Sequence, residues 1–381
     1  MEKTIVITSN ENGEISKTYD KHIVLENQYT NELFGISLKL ASDKVNAAKL
    51  DGACCSCSNY ESLFQKNSWK SILQLIEEST IAHPFHYQAA VTIAFEKLVK
   101  NKLVVSDRAN YIRTIVLELE RIQSHLFKLG LIAKGISYPI FLQKVMTFRN
   151  EILTHIKNIT ELSPKEPFIK FGGIAQDISE EEIISLYQTV SRIERKIRKA
   201  KIRNQRNPLV KGLLKDVGFI SRETARDLSL VGPLARTSGI TTDVRKSDPY
   251  FAYGEIDFYT PVSDYCDLFG EFLILFDDII VSIGIVRELL QSLPDSETLS
   301  SNSTFELSPN NTVVRVETPI GELFSFTHSK KGNHNSIPRL FKITCPLKVN
   351  MQGILSRITG DAIDNISTIL LFVGEGWGIK L

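Results

Sequence analysis

The sequence predicts an α+β protein that is mainly α: a bundle of long helices with a small β region at the N-terminal end and a β-containing region toward the C-terminal end. Three observations predict it. Apolar residues recur at three- and four-residue spacings through the middle of the chain. Alternating stretches rich in Val, Ile, Thr and Phe occupy both ends. Between the helical runs lies a segment, residues 208–259, dense in Gly, Pro and Ser-Asp pairs.

Residues 4–8 and 16–25 read as strands around the turn-forming Asn10-Glu11-Asn12-Gly13, and 34–40 alternates as a third, so residues 1–58 form an N-terminal β-rich region. From Tyr60 the period turns helical. Segments 69–78, 86–97, 109–129 and 140–159 each carry an apolar stripe, and a helix over 180–202 follows, so 59–206 is the first part of the bundle. Residues 207–261 form a long loop region with a short helix near 223–228, and connections of that length usually carry function. A further bundle helix spans 262–293 and is closed by Pro294, ending the 262–294 unit. Residues 295–349 hold strands at 313–318, 323–326 and 340–344, after a Ser- and Asn-rich excursion over 295–311 that is expected to be disordered. Residues 350–381 supply a C-terminal helical part, 350–372, and a tail.

The 381 residues, 43% of them apolar, can bury a sizeable core. The 45 basic and 44 acidic residues nearly cancel, so no net field steers the chain to nucleic acid or to an anionic membrane surface. The basic run 192–206 is interrupted by Ile193, Ile197 and Ile202, which makes it an amphipathic helix with a solvated or partner-facing basic side. The most apolar stretch, 272–286, contains Asp277 and Asp278 and is a poor bilayer span. Met1-Glu2-Lys3 leads into a strand with no basic-then-apolar leader, which predicts a chain retained in the cytoplasm.

The cysteines are Cys54, Cys55, Cys57, Cys266 and Cys345, and an odd number in such a chain argues for free thiols or a metal site over a disulfide framework. Cys54 and Cys57 have the spacing of two ligands to one metal or of a redox pair. His83 and His86 stand one helical turn apart, but Pro84 between them marks a helix start.

Four ordered blocks carry a family resemblance. The first is Arg108-Ala109-Asn110-Tyr111-Ile112-Arg113 followed by Glu118-Leu119-Glu120-Arg121-Ile122-Gln123-Ser124-His125-Leu126. The second is Phe171-Gly172-Gly173-Ile174-Ala175-Gln176-Asp177. The third runs from Gly232-Pro233-Leu234-Ala235-Arg236 through Thr242-Asp243-Val244-Arg245 to Pro249-Tyr250. The fourth is Glu317-Thr318-Pro319-Ile320-Gly321-Glu322, with Arg339-Leu340-Phe341-Lys342-Ile343 and Asn350-Met351-Gln352-Gly353 after it. Glycines in these blocks permit close backbone approach, and Arg with Asp can form fork-shaped buried pairs, so each also reads as a packing device.

From about Phe34 to the end, the blocks resemble the family that joins the 49-kDa-type subunit of complex I with the large subunit of group 4 nickel–iron hydrogenases. The resemblance implies a hydrogenase-large-subunit-like long-helix bundle. It also implies losses. Counted back without gaps from Ala94-Phe95-Glu96, the family's first pair of metal-binding cysteines falls on Thr80 and His83, and the second falls around Gly376 and Ile379. None of these is a cysteine, which implies no nickel–iron centre and no cofactor bound by this chain. The family's quinone-contacting His has no counterpart before Phe34, and its pocket Tyr falls on Ile81. The Arg beside a partner's terminal cluster falls on Glu78. His125 matches the histidine that faces that cluster and couples its reduction to protonation, a role suited to a group titrating near neutrality, with Arg121 beside it. Arg236, Asp243 and Arg245 match pocket or scaffold positions.

The implied function is that of the large subunit of a membrane-bound oxidoreductase complex like complex I and the energy-converting hydrogenases. Such a subunit docks an iron–sulfur small subunit, which holds a 4Fe–4S cluster, and joins accessory and ion-translocating membrane subunits; it sits peripherally on the cytoplasmic face. The alternative is an active reductase of a quinone or sulfur-type acceptor in the remodelled pocket.

Overall fold

The computed structural model describes residues 4–9, 15–27, 33–41, 43–51, 57–78, 82–100, 103–160, 167–298, 305–373 and 377–379. It has the mainly α, α+β architecture expected. Strands β1 (Thr4–Ser9), β2 (Ile15–Asn27), β3 (Leu33–Ala41) and β4 (Lys44–Asp51) form an antiparallel meander. On β3, Ile36, Leu38 and Leu40 point into the core, as the period of two requires. The sequence offers little sign of β4, because only Val45 of that strand is buried. Pairing with β3 forms it, and the Val45 backbone ties it to Gly360 and Asp361 at 2.8 and 3.0 Å.

Helices α1 (Cys57–Phe64) and α2 (Trp69–Glu78) lead to α3 (Pro84–Leu98), which starts at its proline. The next two helices are α4 (Asp107–Gly135) and α5 (Pro139–Thr160). Ser106 caps α4 by accepting from the Ala109 N–H. A two-residue hairpin, β5 (Ile169–Lys170) and β6 (Gly173–Ile174), precedes α6 (Glu180–Gln205). Ser179 caps α6, and Glu180, Glu181 and Glu182 complement the positive end of its dipole.

The loop region is more helical than its composition suggests. It contains α7 (Pro208–Leu214), α8 (Arg222–Asp227), α9 (Gly232–Arg236) and α10 (Val244–Ser247). The next bundle helix, α11 (Leu268–Gln291), starts six residues later than the expected 262. Cys266 adopts a φ of 60°, which breaks the helix, and the Asp267 carboxylate accepts from the Gly270 N–H at 2.8 Å as the cap. Helix α4 packs on α5 and α11, and α11 packs on α6. Ile115, Leu119, Ile122 and Leu126 of α4 share one contiguous core with Phe272, Phe276, Ile279 and Ile283 of α11.

Strands β7 (Asn311–Thr318), β8 (Gly321–His328) and β9 (Leu340–Thr344) form a second antiparallel sheet, and β7 lies on α3. Part of the stretch expected to be disordered is placed: Leu307 is buried and bridges Val99 and Gly332. Helices α12 (Pro346–Ile358) and α13 (Ile366–Leu370) follow, and β10 (Trp377–Ile379) returns to pair with β2. No described helix is long and apolar enough to cross a membrane.

Candidate functional site

The four sequence blocks do two separate jobs. The hairpin block is pinned to α4: Arg113 donates to the carbonyls of Lys170 at 2.6 Å and Gly173 at 2.9 Å, and pairs with Glu96 at 2.8 Å. Arg108 pairs with Asp177 at 2.9 Å. These contacts build the scaffold.

The other blocks converge on one interior point. Gly232, at φ 67°, opens α9, and its backbone approaches the Ile320 carbonyl so closely that no Cβ fits. Gly321, at φ 131°, meets the same junction from the other side. Asn350 of α12 clamps both: its amide donates to the Val231 carbonyl at 3.1 Å and the Ile320 carbonyl at 3.3 Å, and its oxygen accepts from the Val231 N–H at 3.0 Å. The clamp fixes α9, and therefore Arg236, against the end of β7, and therefore Glu317.

Helix α4 presents a polar stripe, Glu118, Arg121, His125 and Lys128, at three- and four-residue spacing toward the interior. All four are buried. Arg245 of α10 forks onto Asp243, with Nε at 3.0 Å from Oδ1 and Nη2 at 2.7 Å from Oδ2, and its Nη1 reaches Glu118 at 3.1 Å. The Tyr253 hydroxyl donates to Glu118 at 2.5 Å. Arg121 donates to the carbonyls of Thr318, at 2.9 Å, and Glu317. Arg236 pairs with Asp278 of α11, and its other amino group lies 3.6 Å from Glu317.

His125 lies inside this network, 1% exposed, with Nε2 3.4 Å from Asp278. Burial pushes its pKa below the ordinary histidine range, although Asp278 opposes the shift. Further along α4, Lys128 and Arg357 both pair with Glu271, at 2.9 and 2.5 Å.

The charges set one another. Burial pushes the Glu118, Asp243 and Asp278 carboxyls up, but their neighbours more than offset this: Arg121 and Arg245 at Glu118, Arg245 at Asp243, and Arg236, with a hydrogen bond from His125, at Asp278. Asp278 is held at about 2. Glu317 goes the other way: burial, then the Asp243 charge, raise it from 4.5 to about 7.

Arg121, Arg236, Asp243, Arg245 and His125, singled out in the sequence, therefore share one cluster. His83 is buried just before α3, its ring 6.2 Å from that of His86, and burial followed by His125 and Arg121 lowers it to about 3. His86 Nδ1 contacts Glu120 at 2.5 Å, and the His86 and Phe85 N–H groups donate to the same carboxylate. Thr80, Ile81, Gly376, Cys54 and Cys55 lie outside the described residues. Ile379 stands in β10, its backbone paired with Leu25. Among the described residues no group of three or more His, Cys, Asp or Glu side chains is arranged to hold a metal.

Sequence reading missed Asp278, Glu317 and Tyr253 as members of the cluster. Asp278 had a signal: an acid in the most apolar stretch of the chain needs a buried cation, and Arg236 supplies it. Glu317 stood only as the head of the fourth block at the end of a strand, since its neighbours across the fold cannot be inferred from local spacing.

Comparisons with known proteins agree with this architecture. A family model described as the 49-kDa subunit of respiratory-chain NADH dehydrogenase matches residues 139–313. The chain is 30% identical over 312 residues to a subunit of the chloroplastic NAD(P)H-quinone oxidoreductase of Mesostigma viride, covering 74% of this chain and 78% of that protein. It is 29% identical over 279 residues to a subunit of the NADH-quinone oxidoreductase of Thermosipho melanesiensis, covering 72% and 73%. Its fold is like that of a chain in the membrane-bound sulfane sulfur reductase, an archaeal respiratory membrane complex, with a TM-score of 0.82 over 93% of this chain and 95% of that one, at 22% identity. With the charged core, the clamped motif blocks and these relatives together, the chain belongs to the family of the 49-kDa subunit of respiratory-chain NADH dehydrogenase.

Proposed function

We propose that this chain is the large subunit of a membrane-bound oxidoreductase complex. It docks an iron–sulfur subunit carrying a 4Fe–4S cluster on one side and accessory and ion-translocating membrane subunits on the other, and it links electron transfer to ion movement. It lies peripherally at the cytoplasmic face, held there by its partners. The observation that carries this reading is the buried charge network on α4 and α11. Three arginines and four carboxylates inside a core are costly to desolvate, and a chain that served only as scaffold could replace them with apolar residues at no loss of stability.

A nickel–iron centre does not fit the residues present. The metal positions that the family fills with thiolates are Thr80, His83, Gly376 and Ile379, and His83 is enclosed in the core and held neutral. Ile81 likewise offers a quinone no hydrogen-bond donor. The original metal and quinone sites are degenerate.

His125 is the redox-linked group in this reading, acting through Asp278 and Arg236. The test is a redox titration of the partner's cluster by electron paramagnetic resonance in the purified complex, repeated across pH. His125→Gln should flatten the pH dependence of the midpoint potential, while the distant Arg108→Gln should leave it unchanged. A wild-type potential with no pH dependence, or one that His125→Gln does not alter, removes His125 from the coupling.

A second reading, reduction of a quinone or sulfur-type acceptor in the remodelled interior, draws on buried polar atoms whose hydrogen bonds the described residues do not meet. Ser124 Oγ, His86 Nε2, and Arg236 Nε and Nη1 are among them. Acceptor-dependent turnover by the complex distinguishes this reading from the first.

A further inference from the structure

We infer that Glu317 is a proton-binding site of the buried core, and that its ionisation draws Arg236 from Asp278 toward β7. The site lies wholly within this chain, so it exists with or without a partner complex.

Among the described residues the buried cluster is short of one cation. It holds four carboxylates, Glu118, Asp243, Asp278 and Glu317, against three guanidiniums, Arg121, Arg236 and Arg245, all of them buried. Glu118 and Asp243 take Arg245 at 3.1 and 2.7 Å, and Asp278 takes Arg236. Glu317 is left with the weakest pair, 3.6 Å to Arg236 Nη1, and one further partner, the Val244 N–H at 3.2 Å to Oε2. Among the described residues its Oε1 finds no hydrogen-bond partner, and neither do Arg236 Nη1 and Nε or Asp278 Oδ1. A carboxylate in that position, without a cation of its own in a low-dielectric interior, is the member of the cluster that takes up a proton.

The surroundings support this from every packed element. Arg121 of α4 gives its amino groups to the carbonyls of Glu317 and Thr318 and its Nε to Glu118 at 3.4 Å, and its charge, with those of Arg236 and Arg245, opposes the rise at Glu317 without cancelling it. Asp243 of α10 adds negative charge, and together with burial this brings Glu317 to about 7. Tyr250 and Tyr253, in the segment after α10, stay neutral, because burial raises both hydroxyls. His83 and His86 at the start of α3 are held neutral by burial and the arginines. Glu120 is satisfied by His86 and two backbone N–H groups. The extra cation of the Lys128, Arg357 and Glu271 triad is met in part by the Phe372 carbonyl, 3.2 Å from Lys128 Nζ. On β8, Glu322 is taken up by Arg315 at 2.7 Å.

Arg236 thus stands between two carboxylates on different elements, α11 and β7, and the proton decides its allegiance. When Glu317 is neutral, Arg236 belongs to Asp278. When Glu317 is ionised, Nη1 has only to close a 3.6 Å gap to pair with it, leaving Asp278 to His125 at 3.4 Å. One proton on Glu317 therefore moves Arg236 of α9 between a partner on α11 and a partner on β7.

Infrared difference spectra of the full chain, recorded through neutral pH in water and in deuterium oxide, read the carbonyl stretch of a protonated carboxylic acid directly. The expected result is a deuterium-sensitive band that is lost with a midpoint near pH 7. Glu317→Gln should abolish the band, and Glu317→Asp should restore one with a different midpoint, which separates the effect from misfolding. A band that survives Glu317→Gln overturns the inference, as does the lack of any titrating band or the appearance of an imidazolium titration at His125 in its place.

Discussion

Glu317 shows how a single residue can set the pH response of the whole core. Its carboxyl is raised from 4.5 to about 7, so between those pH values the native protein holds a proton that the unfolded chain has released. Stability from this residue is complete below the lower value, falls as pH rises through the window, and is flat above it. The buried histidines His83, His86 and His125, whose pKa values are lowered, act in the opposite direction as pH falls below their ordinary value of 6.5. The difference between wild type and Glu317→Gln isolates the glutamate. Denaturation midpoints followed across pH should coincide near the acid end and diverge upward, with the Gln variant more stable at neutral pH and above. Parallel curves would show that Glu317 carries no excess proton. Asp278, held at about 2, contributes in a separate window, with stability present above its unfolded value and lost as pH falls toward acid.

At the scale of elements, the joint between α9 and the β7–β8 turn matters most, because it aims Arg236 at Glu317. Gly232→Ala forces a Cβ into the Ile320 carbonyl at a positive φ, and should destabilise the chain by about 1–3 kcal/mol or more. Gly284→Ala, at an exposed position of α11 with open space around the new methyl, should be neutral or stabilising by up to about 1 kcal/mol. Equal effects of the two substitutions in a chemical denaturation series would mean that the joint is not tightly packed. Helices α2 to α6 were legible because their stripes repeat at the helical period over long stretches and Ser106, Ser179 and Pro84 mark their starts. Strand β4 and helices α7, α9 and α10 were not, since each is short and held by tertiary contacts that leave no periodic trace. Helix α11 was read too long because Val262 continues its apolar character while the cap is Asp267. In the site, Arg245 and Asp243 could be read from adjacency. The Arg236–Asp278 pair spans 42 residues and follows only from the packing of α9 on α11.

At the scale of the whole molecule, acidic and basic residues nearly balance, and the motif blocks place ionisable side chains in the buried core. Its outer basic helix is neutralised in part within the chain, since Arg192 meets Glu151 at 2.7 Å, Arg198 meets Glu194 at 2.7 Å and Lys201 meets Asp277 at 2.6 Å. A long-range field is therefore not how it would find partners; docking must rest on shape and local contacts. The most direct test of the central claim is the subunit and metal content of the native complex, solubilised in mild detergent and isolated on a tag at this chain. The prediction is co-isolation in fixed ratio with an iron–sulfur protein and ion-translocating membrane subunits, with iron present and nickel at background. A lone chain without partners, or nickel in stoichiometric amount, would contradict it.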